Sequence, residues 1–343
     1  FSGSGTTVNV SIATERDYLP DTLALVFTLL RESNFPADQL DELRRKTLSA
    51  IETAREEPTS LASHTLNRHS NHWEPGDIRY TPSFDEQEEA VNALKREDLA
   101  AFHQRFYGAG RLSMTAVGDF DPEAVEKAVV DGVKGWQRAP AYTRVPMPYQ
   151  PVEPKRFVLE VPDKANAFYV AALPVRMQDT DPDYPAALMA NYLLGSSATS
   201  RLWNRIRETE GLSYDVRSQF TVSSYEPSGS LAMYAIYAAS NRDQLEQAFQ
   251  QELDKALKEG FTEQEVKDGI AALLNQRKLS RAQDNRLAST WSTYLELGRS
   301  FADSEKLDQQ LAALTVEEVN QALRKILDPK ALSSVMAGSF NTP

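Results

Sequence analysis

The sequence predicts an α+β fold made of two related domains, each a mostly antiparallel sheet packed against helices. In the second half, short alternating apolar segments follow one another with only tight turns between them, which is typical of antiparallel strands. Longer segments with apolar residues three and four apart indicate amphipathic helices, grouped separately from the strands. The first part of the chain also resembles the last part, which predicts that one architecture occurs twice.

Length and composition limit the classes of protein to which the chain can belong. Its 343 residues are too many for one ordinary domain and suit about two. The net charge of −12 argues against nucleic acid or an anionic membrane as a partner. There is no cysteine, which excludes disulfides and thiolate chemistry, and there is no apolar run of about 18 residues that could span a bilayer.

Two distant stretches of the chain align with each other. Phe35 and the residues after it match Phe261 and its followers, at an offset of 226 (261 − 35 = 226). Further on the offset is 220, where Val117 matches Ala337 (337 − 117 = 220), as one change in loop length produces. A first copy as long as the second would begin about 75 residues before Phe1. We therefore expect a first domain that lacks its N-terminal third, the alternative being a naturally short first domain.

A proline-rich stretch separates the two copies. Proline cannot donate a backbone hydrogen bond to a helix or a sheet, so several prolines in close succession favour a linker. We expect a partial domain at residues 1–139, a linker at residues 140–154 and a complete second domain at residues 155–343.

Helix and strand signals give the order of elements in each copy. In the first, Pro36 lies just inside the start of one helix, and Pro58 separates that helix from the next. The predicted elements of the first copy are a strand at residues 7–13, helices at residues 20–32, 38–56, 59–72 and 95–106, a strand at residues 112–117 and a helix at residues 122–133. Those of the second copy are strands at residues 157–161 and 168–173, a helix at residues 184–194, a helix after residue 200, strands at residues 213–222 and 230–237, helices at residues 242–259, 263–281, 285–301 and 316–327, and a strand at residues 332–337.

The stretch at residues 200–214, SRLWNRIRETEGLSY, reads as a helix, a turn and the start of a strand. Leu202 and Ile206 fall on one apolar helix face, and Gly211 is a natural helix stop. Arg207 and Tyr214 then lie seven positions apart around one tight turn. A guanidinium and a phenol held at such a corner can both donate hydrogen bonds to one oxygen atom.

This stretch closely resembles the Arg/Tyr motif of M16-family (pitrilysin/insulinase-type) zinc metallopeptidases, a SRL-type helix followed by R-x-x-x-x-G-L-x-Y. A second block of that family, an aromatic-Tyr pair before a strand that ends in Val-Gly-Asp, is similar to Phe106-Tyr107 and residues 114–119 here. The resemblance covers essentially the whole chain. It implies an antiparallel sheet packed under helices in each domain.

The resemblance also implies a function. The chain resembles the non-catalytic half of an M16 peptidase, in which Arg207 and Tyr214 reach across a chamber, contact the substrate backbone and help to stabilise the oxyanion. Such a chain needs a zinc-bearing half or partner subunit and takes a peptide or an unfolded protein as substrate. Alone it is expected to cleave nothing. Long bacterial members of the family are usually exported, which implies the periplasm.

The zinc ligands of the family have no match in this sequence. The inverted His-x-x-Glu-His motif is absent, and the helix at residues 184–194 that would carry it in the second copy has no histidine. The position of the third ligand aligns with Ala50, whose side chain cannot ligate a metal. We therefore expect no zinc in this chain and zinc in the missing half or partner.

Several alternatives remain open from the residues alone. His64, His69 and His72 have a spacing that a zinc site could use, although a polar helix end is the simpler explanation of these histidines. Tyr225, Tyr234 and Tyr237 are expected either to line a peptide-binding chamber or to pack in a core. For the whole chain, the alternatives are a catalytically inactive M16-like structural or assembly subunit and an unrelated α+β binding protein.

Overall fold

A computed structural model describes residues 1–340 of the chain. Its strands are β1 Ser2–Ser4, β2 Thr7–Asn9, β3 Arg156–Glu160, β4 Asn166–Val175, β5 Ser213–Val222, β6 Gly229–Ala238 and β7 Ser333–Gly338. Its α-helices are α1 Leu19–Arg31, α2 Ala37–Glu56, α3 Pro58–Ser70, α4 Phe84–Ala93, α5 Arg96–Phe106, α6 Pro122–Val133, α7 Tyr184–Asn191, α8 Arg242–Glu259, α9 Glu263–Arg281, α10 Asp284–Leu297, α11 Phe301–Ala312 and α12 Val316–Ile326. Among the described residues, no helix is both long enough and apolar enough to cross a bilayer.

The main sheet has five strands in the order β3-β7-β4-β6-β5. Every neighbouring pair is antiparallel except β3 and β7, which run parallel. Strand β5 lies at one edge and is joined to β6 by a hairpin. This mostly antiparallel sheet, covered by helices, confirms the predicted α+β class.

Each face of the sheet packs against helices from a different part of the chain. On one face, helices α7, α8, α9 and α12 bury their apolar side chains against β4, β6 and β7. On the other face, Ala62 and Leu66 of α3 pack with Phe168, Val335 and Ala337 of the sheet. Because α3 belongs to the first part of the chain, the two parts share one packed unit. Residues 140–154 contain no helix or strand, and the predicted domain boundaries stay a prediction.

The strand predicted at residues 112–117 is wrong. These residues are extended along α10, where the Thr115 hydroxyl donates to the Ala288 carbonyl at 3.0 Å. Alternating apolar residues make a strand only when a neighbouring strand satisfies their backbone groups, and the two sheets of the described residues offer none at this position. The strand predicted at residues 7–13 forms only at β2, which pairs with β1.

Two helices, α4 and α11, were not predicted. They occupy equivalent places in the two copies of the repeat. Helix α4 begins at a capping box made by Ser83 and Glu86, and α11 begins at another made by Ser300 and Asp303. The helix predicted at residues 285–301 instead ends at Leu297, because Gly298 takes a left-handed conformation with φ of 65°. The succession α2-α3-α4-α5 thus recurs as α9-α10-α11-α12.

Candidate functional site

The helix that carries Arg207 is wider than an ordinary α-helix. The segment Trp203–Thr209 is a π-helix, whose exit is marked by a hydrogen bond from the Glu210 amide to the Arg205 carbonyl at 2.9 Å. Leu202 and Ile206 are fully buried in the main core, so the predicted apolar face is confirmed. The π-turns are often found at functional positions, and here they set the direction in which Arg207 leaves the helix.

The chain then turns sharply into the edge strand. Gly211 has φ of 61°, a left-handed conformation that would cost a residue with a side chain about 1 kcal/mol of conformational free energy. The Leu212 amide donates back to the Ile206 carbonyl at 2.9 Å, and this bond closes the turn. The predicted helix stop at Gly211 and the predicted strand at residues 213–222 are both confirmed.

Tyr214 lies on a β-bulge at the start of β5. Ser213 pairs with Tyr237 and Asp215 pairs with Ile236, so Tyr214 is the extra residue between them. The Ser213 hydroxyl donates to the Ile236 carbonyl at 2.6 Å, which ties the bulge to β6. The bulge turns the Tyr214 side chain outward, where 56% of its surface is exposed.

Arg207 and Tyr214 are in direct contact, but through the backbone of the tyrosine. Nη1 of Arg207 donates to the Tyr214 carbonyl oxygen at 2.9 Å. The guanidinium also lies 3.6 Å from the Glu208 carboxylate, whereas Glu210 pairs with Arg205 instead. Because 42% of the Arg207 side chain is exposed, a surface ion pair of this kind holds it only weakly.

The indole ring of Trp203, a residue that the sequence places with Leu202 and Ile206 on the apolar helix face, supports Arg207. The guanidinium carbon of Arg207 lies 4.2 Å from the centroid of the Trp203 ring, and that of Arg217 lies 3.9 Å from the same centroid. Such cation–π contacts are worth about 0.5–2 kcal/mol each. The spacing of four residues between Trp203 and Arg207 is a signal for a shared helix face, whereas Arg217 reaches the ring only because of the fold.

A second polar pair lies next to the bulge. The Tyr234 hydroxyl donates to Oδ2 of Asp215 at 3.3 Å, and Arg217 lies 3.4 Å from Oδ1 of the same carboxylate. Burial raises the pKa of Tyr234 above its ordinary value, and the Asp215 carboxylate raises it further. This phenol therefore stays protonated at neutral pH and remains a donor.

The other two tyrosines considered from the sequence lie in different surroundings. Tyr237 is fully buried in the main core, and burial is the largest cause that raises its pKa well above the ordinary value. Tyr225 is exposed and donates to the Glu296 carboxylate at 3.3 Å. Of the three, only Tyr234 pairs with Arg217 across the β5–β6 ladder and bonds Asp215 through its hydroxyl.

The histidines do not converge on one point. Nε2 of His69 lies 2.9 Å from the Glu153 carbonyl and 3.1 Å from the Ser333 hydroxyl, and His64 is stacked on Phe84. His103 packs against Phe35, and its Nε2 lies 2.6 Å from a backbone carbonyl. Within residues 1–340, no three His, Asp or Glu side chains are placed to hold one metal ion. The donor set of the described chain therefore does not fit zinc.

The arrangement offers hydrogen-bond donors but no nucleophile. A guanidinium and a phenol stand exposed at the same corner of the sheet, with the edge of β5 beside them. Both groups donate hydrogen bonds, the guanidinium through N–H and the phenol through O–H. The corner is thus suited to bind a carbonyl oxygen or an oxyanion.

Known proteins with similar sequences align with this chain over only part of their own length. The "Non-peptidase homolog YmxG" of Helicobacter pylori is 22% identical over 315 residues, which cover 90% of this chain and 70% of the relative. The "Uncharacterized zinc protease YmxG" of Bacillus subtilis is 29% identical over 157 residues, which are 46% of this chain and 38% of the relative.

Solved structures and a family profile agree on the fold. A crystal structure of a peptidase M16 inactive domain from Pseudomonas fluorescens superposes with a TM-score of 0.78 at 25% identity, covering 94% of this chain and 75% of that one. The periplasmic protease PqqL of Escherichia coli superposes with a TM-score of 0.66 at 15% identity, with 93% and 35% covered. The profile described as "Peptidase M16 inactive domain" matches residues 93–273, more than half of the chain. The chain therefore belongs to the M16 peptidase family, in the group of its inactive domains.

Proposed function

We propose that this chain is the non-catalytic half of an M16-type zinc metallopeptidase and supplies part of the wall of its substrate chamber. In this role the Arg207 guanidinium and the Tyr214 hydroxyl donate hydrogen bonds to a substrate carbonyl oxygen. Those bonds strengthen as negative charge develops on that oxygen during hydrolysis. The substrate class is a peptide or an unfolded protein segment.

The observation that carries the proposal is the bulge at Tyr214. In a regular strand the side chains alternate between the two faces of the sheet, whereas the bulge changes the direction of the exposed Tyr214 side chain, and the Tyr214 carbonyl oxygen accepts a hydrogen bond from Arg207. Bulges cost ladder hydrogen bonds and are common next to functional sites, where they re-aim a side chain. The edge strand β5 beside the pair also offers backbone groups to an extended peptide.

Zinc and the general base belong to a partner in this proposal. Ala50 at the aligned ligand position and the scattered histidines support a chain that holds no metal of its own. The zinc-bearing partner is an M16 half or subunit, either joined to this chain in the same protein or separate from it. The periplasm is the compartment proposed by analogy with exported members of the family.

The test is reconstitution of peptidase activity. This chain is mixed with a zinc-bearing M16 half from the same genome, and cleavage of an unstructured peptide is measured. We expect activity only after mixing, and a loss of about 100-fold or more when Arg207→Ala and Tyr214→Phe are combined. Both residues are exposed, so the double variant should keep its fold and its complex, which circular dichroism and gel filtration check.

The second candidate is a catalytically inactive structural or assembly subunit. Ala50 and the name "non-peptidase homolog" of the Helicobacter relative favour it. A verified complex with no activity, or activity that the double variant leaves unchanged, would contradict the first proposal and favour this one.

A further inference from the structure

The indole ring of Trp203 is held both by packing and by a hydrogen bond. Only 8% of Trp203 is exposed, and the residue packs in the main core together with Leu202 and Ile206. Its Nε1 donates to Oε1 of Glu208 at 3.0 Å, so the polar atom of the ring also has a partner. Because the ring cannot turn without losing one of these contacts, its orientation is defined.

The π-helical turn makes the bond between Trp203 and Glu208 possible. In an α-helix, with about 3.6 residues per turn, residues five apart do not lie on the same face. In a π-helix the backbone bonds join residues five apart, which brings their side chains close to one another. Arg205 and Glu210 have the same spacing, and their side chains form an ion pair at 2.8 Å. The wide turn thus aligns two side chains with partners five residues further on.

Two guanidinium groups from different elements lie on this one ring. Arg207 comes from the π-helix and Arg217 from strand β5, and their guanidinium carbons lie 4.2 and 3.9 Å from the ring centroid. Arg217 follows Tyr214 on the same strand, three positions later. The ring therefore connects the helix that carries Arg207 to the strand that carries Tyr214.

The other contacts of Arg207 leave the orientation of its guanidinium plane open. The bond to the Tyr214 carbonyl uses Nη1 alone, and a single hydrogen bond lacks the directional control of a bidentate pair. The Glu208 carboxylate lies 3.6 Å away and is mostly exposed, so solvent screens this ion pair. A guanidinium stacks on an aromatic face as a planar group. The Trp203 ring is thus the contact that can define the plane.

Core packing alone does not explain why position 203 holds a tryptophan. A leucine or a phenylalanine would fill apolar space without an N–H group that needs a partner when buried. Among the aromatic side chains, tryptophan attracts a cation most strongly through its ring face. A surface for guanidinium groups therefore accounts for the residue type, and Glu208 satisfies the N–H that comes with it.

We infer that Trp203 is a positioning residue, which orients the Arg207 guanidinium and couples it to strand β5 through Arg217. Trp203 acts through Arg207 rather than by contact with the substrate, and Glu208 acts one step further back by orienting the indole. The inference rests on the proposed function, because it adds a support for the donor that this function requires.

Side-chain NMR of the free chain tests the orientation without any measurement of activity. A proton above an aromatic ring is shielded by the ring current, so the Nε–H protons of Arg207 and Arg217 should resonate upfield of those of other arginines. Loss of a signal in Arg207→Lys or Arg217→Lys assigns it. Trp203→Leu should move both signals downfield. Signals that do not move, or a change at only one arginine, would overturn the inference.

Trp203→Phe covers the case in which the leucine variant does not fold. It exchanges one ring for another in the same core position and keeps an aromatic face for both guanidinium groups. Because a benzene ring has a weaker ring current than an indole, both arginine signals should still move downfield. Two unshifted signals would contradict the inference.

A double-mutant cycle in the reconstituted complex measures the effect on hydrolysis. Trp203→Leu should lower kcat about 10-fold with little change in KM, because a displaced donor loses an interaction made in the transition state. In the Arg207→Ala background the same change should cost less than about 2-fold, since the donor that Trp203 positions is already absent. An equal loss in both backgrounds would show a merely structural role and overturn the inference.

The single variant Arg207→Ala separates this inference from the proposed function. Activity that Arg207→Ala leaves unchanged would contradict the proposed function, and a role of Trp203 in hydrolysis with it. A loss of activity in Arg207→Ala without coupling to Trp203 would contradict the inference alone.

Ile206→Val is the matched control for packing. Ile206 is fully buried in the same helical segment but offers no ring face to a guanidinium. Removal of one buried methyl group from it should change kcat by less than about 2-fold. A loss as large as that of Trp203→Leu would mean that any packing defect in this segment impairs hydrolysis, and would overturn the inference.

Discussion

At the scale of single residues, the Arg207 guanidinium is held in place by a backbone carbonyl and an aromatic ring rather than by ion pairs. Arg207 donates to a backbone carbonyl and stacks on Trp203, and the carboxylate paired with it is that of the mostly exposed Glu208. Exposed ion pairs contribute little, so the stacking and the backbone bond set the position of the guanidinium. The side chain can therefore exchange one of its weak contacts for a substrate oxygen at small cost.

A partly buried ion pair that involves the helix leading to Arg207 gives a prediction about pH. Arg201, in the helix that leads to Arg207, lies 2.8 Å from Glu265, which also caps the start of α9 through Thr262. Burial alone would raise the pKa of Glu265, but the hydrogen bonds from Arg201 and Thr262 outweigh it and lower the pKa from 4.5 to about 2. The ionised form is therefore the one that the fold favours.

The sign of the effect follows from this lowered pKa. The stabilisation by Glu265 is complete above pH 4.5 and is lost as the pH falls towards 2. Glu265→Gln should lower the free energy of unfolding at pH 7 by about 1–2 kcal/mol, a value discounted for the partial exposure of the carboxylate, and should change it little near pH 2. Urea denaturation across this range measures the difference, with the exposed Glu263→Gln of the same helix as control. A constant difference at all pH values would contradict the assignment.

At the scale of elements, close backbone packing explains a glycine in the π-helical segment Tyr192–Ser196. A Cβ on Gly195 would lie 2.5 Å from the Ser218 hydroxyl oxygen and 2.8 Å from the Ser218 amide nitrogen of β5. The hydroxyl could rotate away, but the strand backbone could not. Gly195→Ala should therefore destabilise the protein by about 1–3 kcal/mol and disturb the strand that carries Tyr214.

Thermal unfolding monitored by circular dichroism measures this cost. Ser196→Ala, at the exposed next position of the same segment, is the matched control and should change stability by less than about 0.5 kcal/mol. Equal stability of Gly195→Ala and the wild type would mean that the helix and the strand are not in rigid contact.

The elements also show which parts of the fold can be predicted from the sequence. The helix–turn–strand around Gly211 was predicted, since local signals agree with the packing there. The bulge at Tyr214 and the π-turn before it were not predicted, because both depend on contacts with other elements, among them the bond from Ser213 to Ile236. Residues 112–117 were predicted as a strand from their alternation, which cannot show whether a pairing strand is present.

The residues of the candidate site also fall into two groups, those that the sequence predicts and those that only the structure reveals. Arg207 and Tyr214 were found because their spacing forms a recognisable motif in the sequence. Trp203 and Arg217 meet only in three dimensions, from a helix and from a strand, so no spacing reveals both. Asp215 and Tyr234 lie on neighbouring strands, and their contact depends on the register of the β5–β6 pair.

At the scale of the whole molecule, helix α3 joins the two parts of the chain. It covers one face of the five-stranded sheet, and its Leu66 is only 5% exposed among Phe168, Val335 and Ala337. Without this cover the sheet would expose a continuous apolar face to water, which is costly and favours aggregation. The first part of the chain is thus a structural component of the second, and the two should unfold together.

This reasoning gives a prediction for a pair of leucines that differ only in burial. Leu66→Ala should lower the free energy of unfolding by about 2–4 kcal/mol, because it removes buried methyl groups and leaves a cavity between α3 and the sheet. Leu43→Ala, on α2 with 59% of the side chain exposed, should change it by less than about 0.5 kcal/mol. Urea denaturation followed by both far-ultraviolet circular dichroism and tryptophan fluorescence measures the two effects. If α3 couples the parts, both probes of Leu66→Ala shift together in one transition, whereas a shift of one probe alone would show that the sheet is stable without α3.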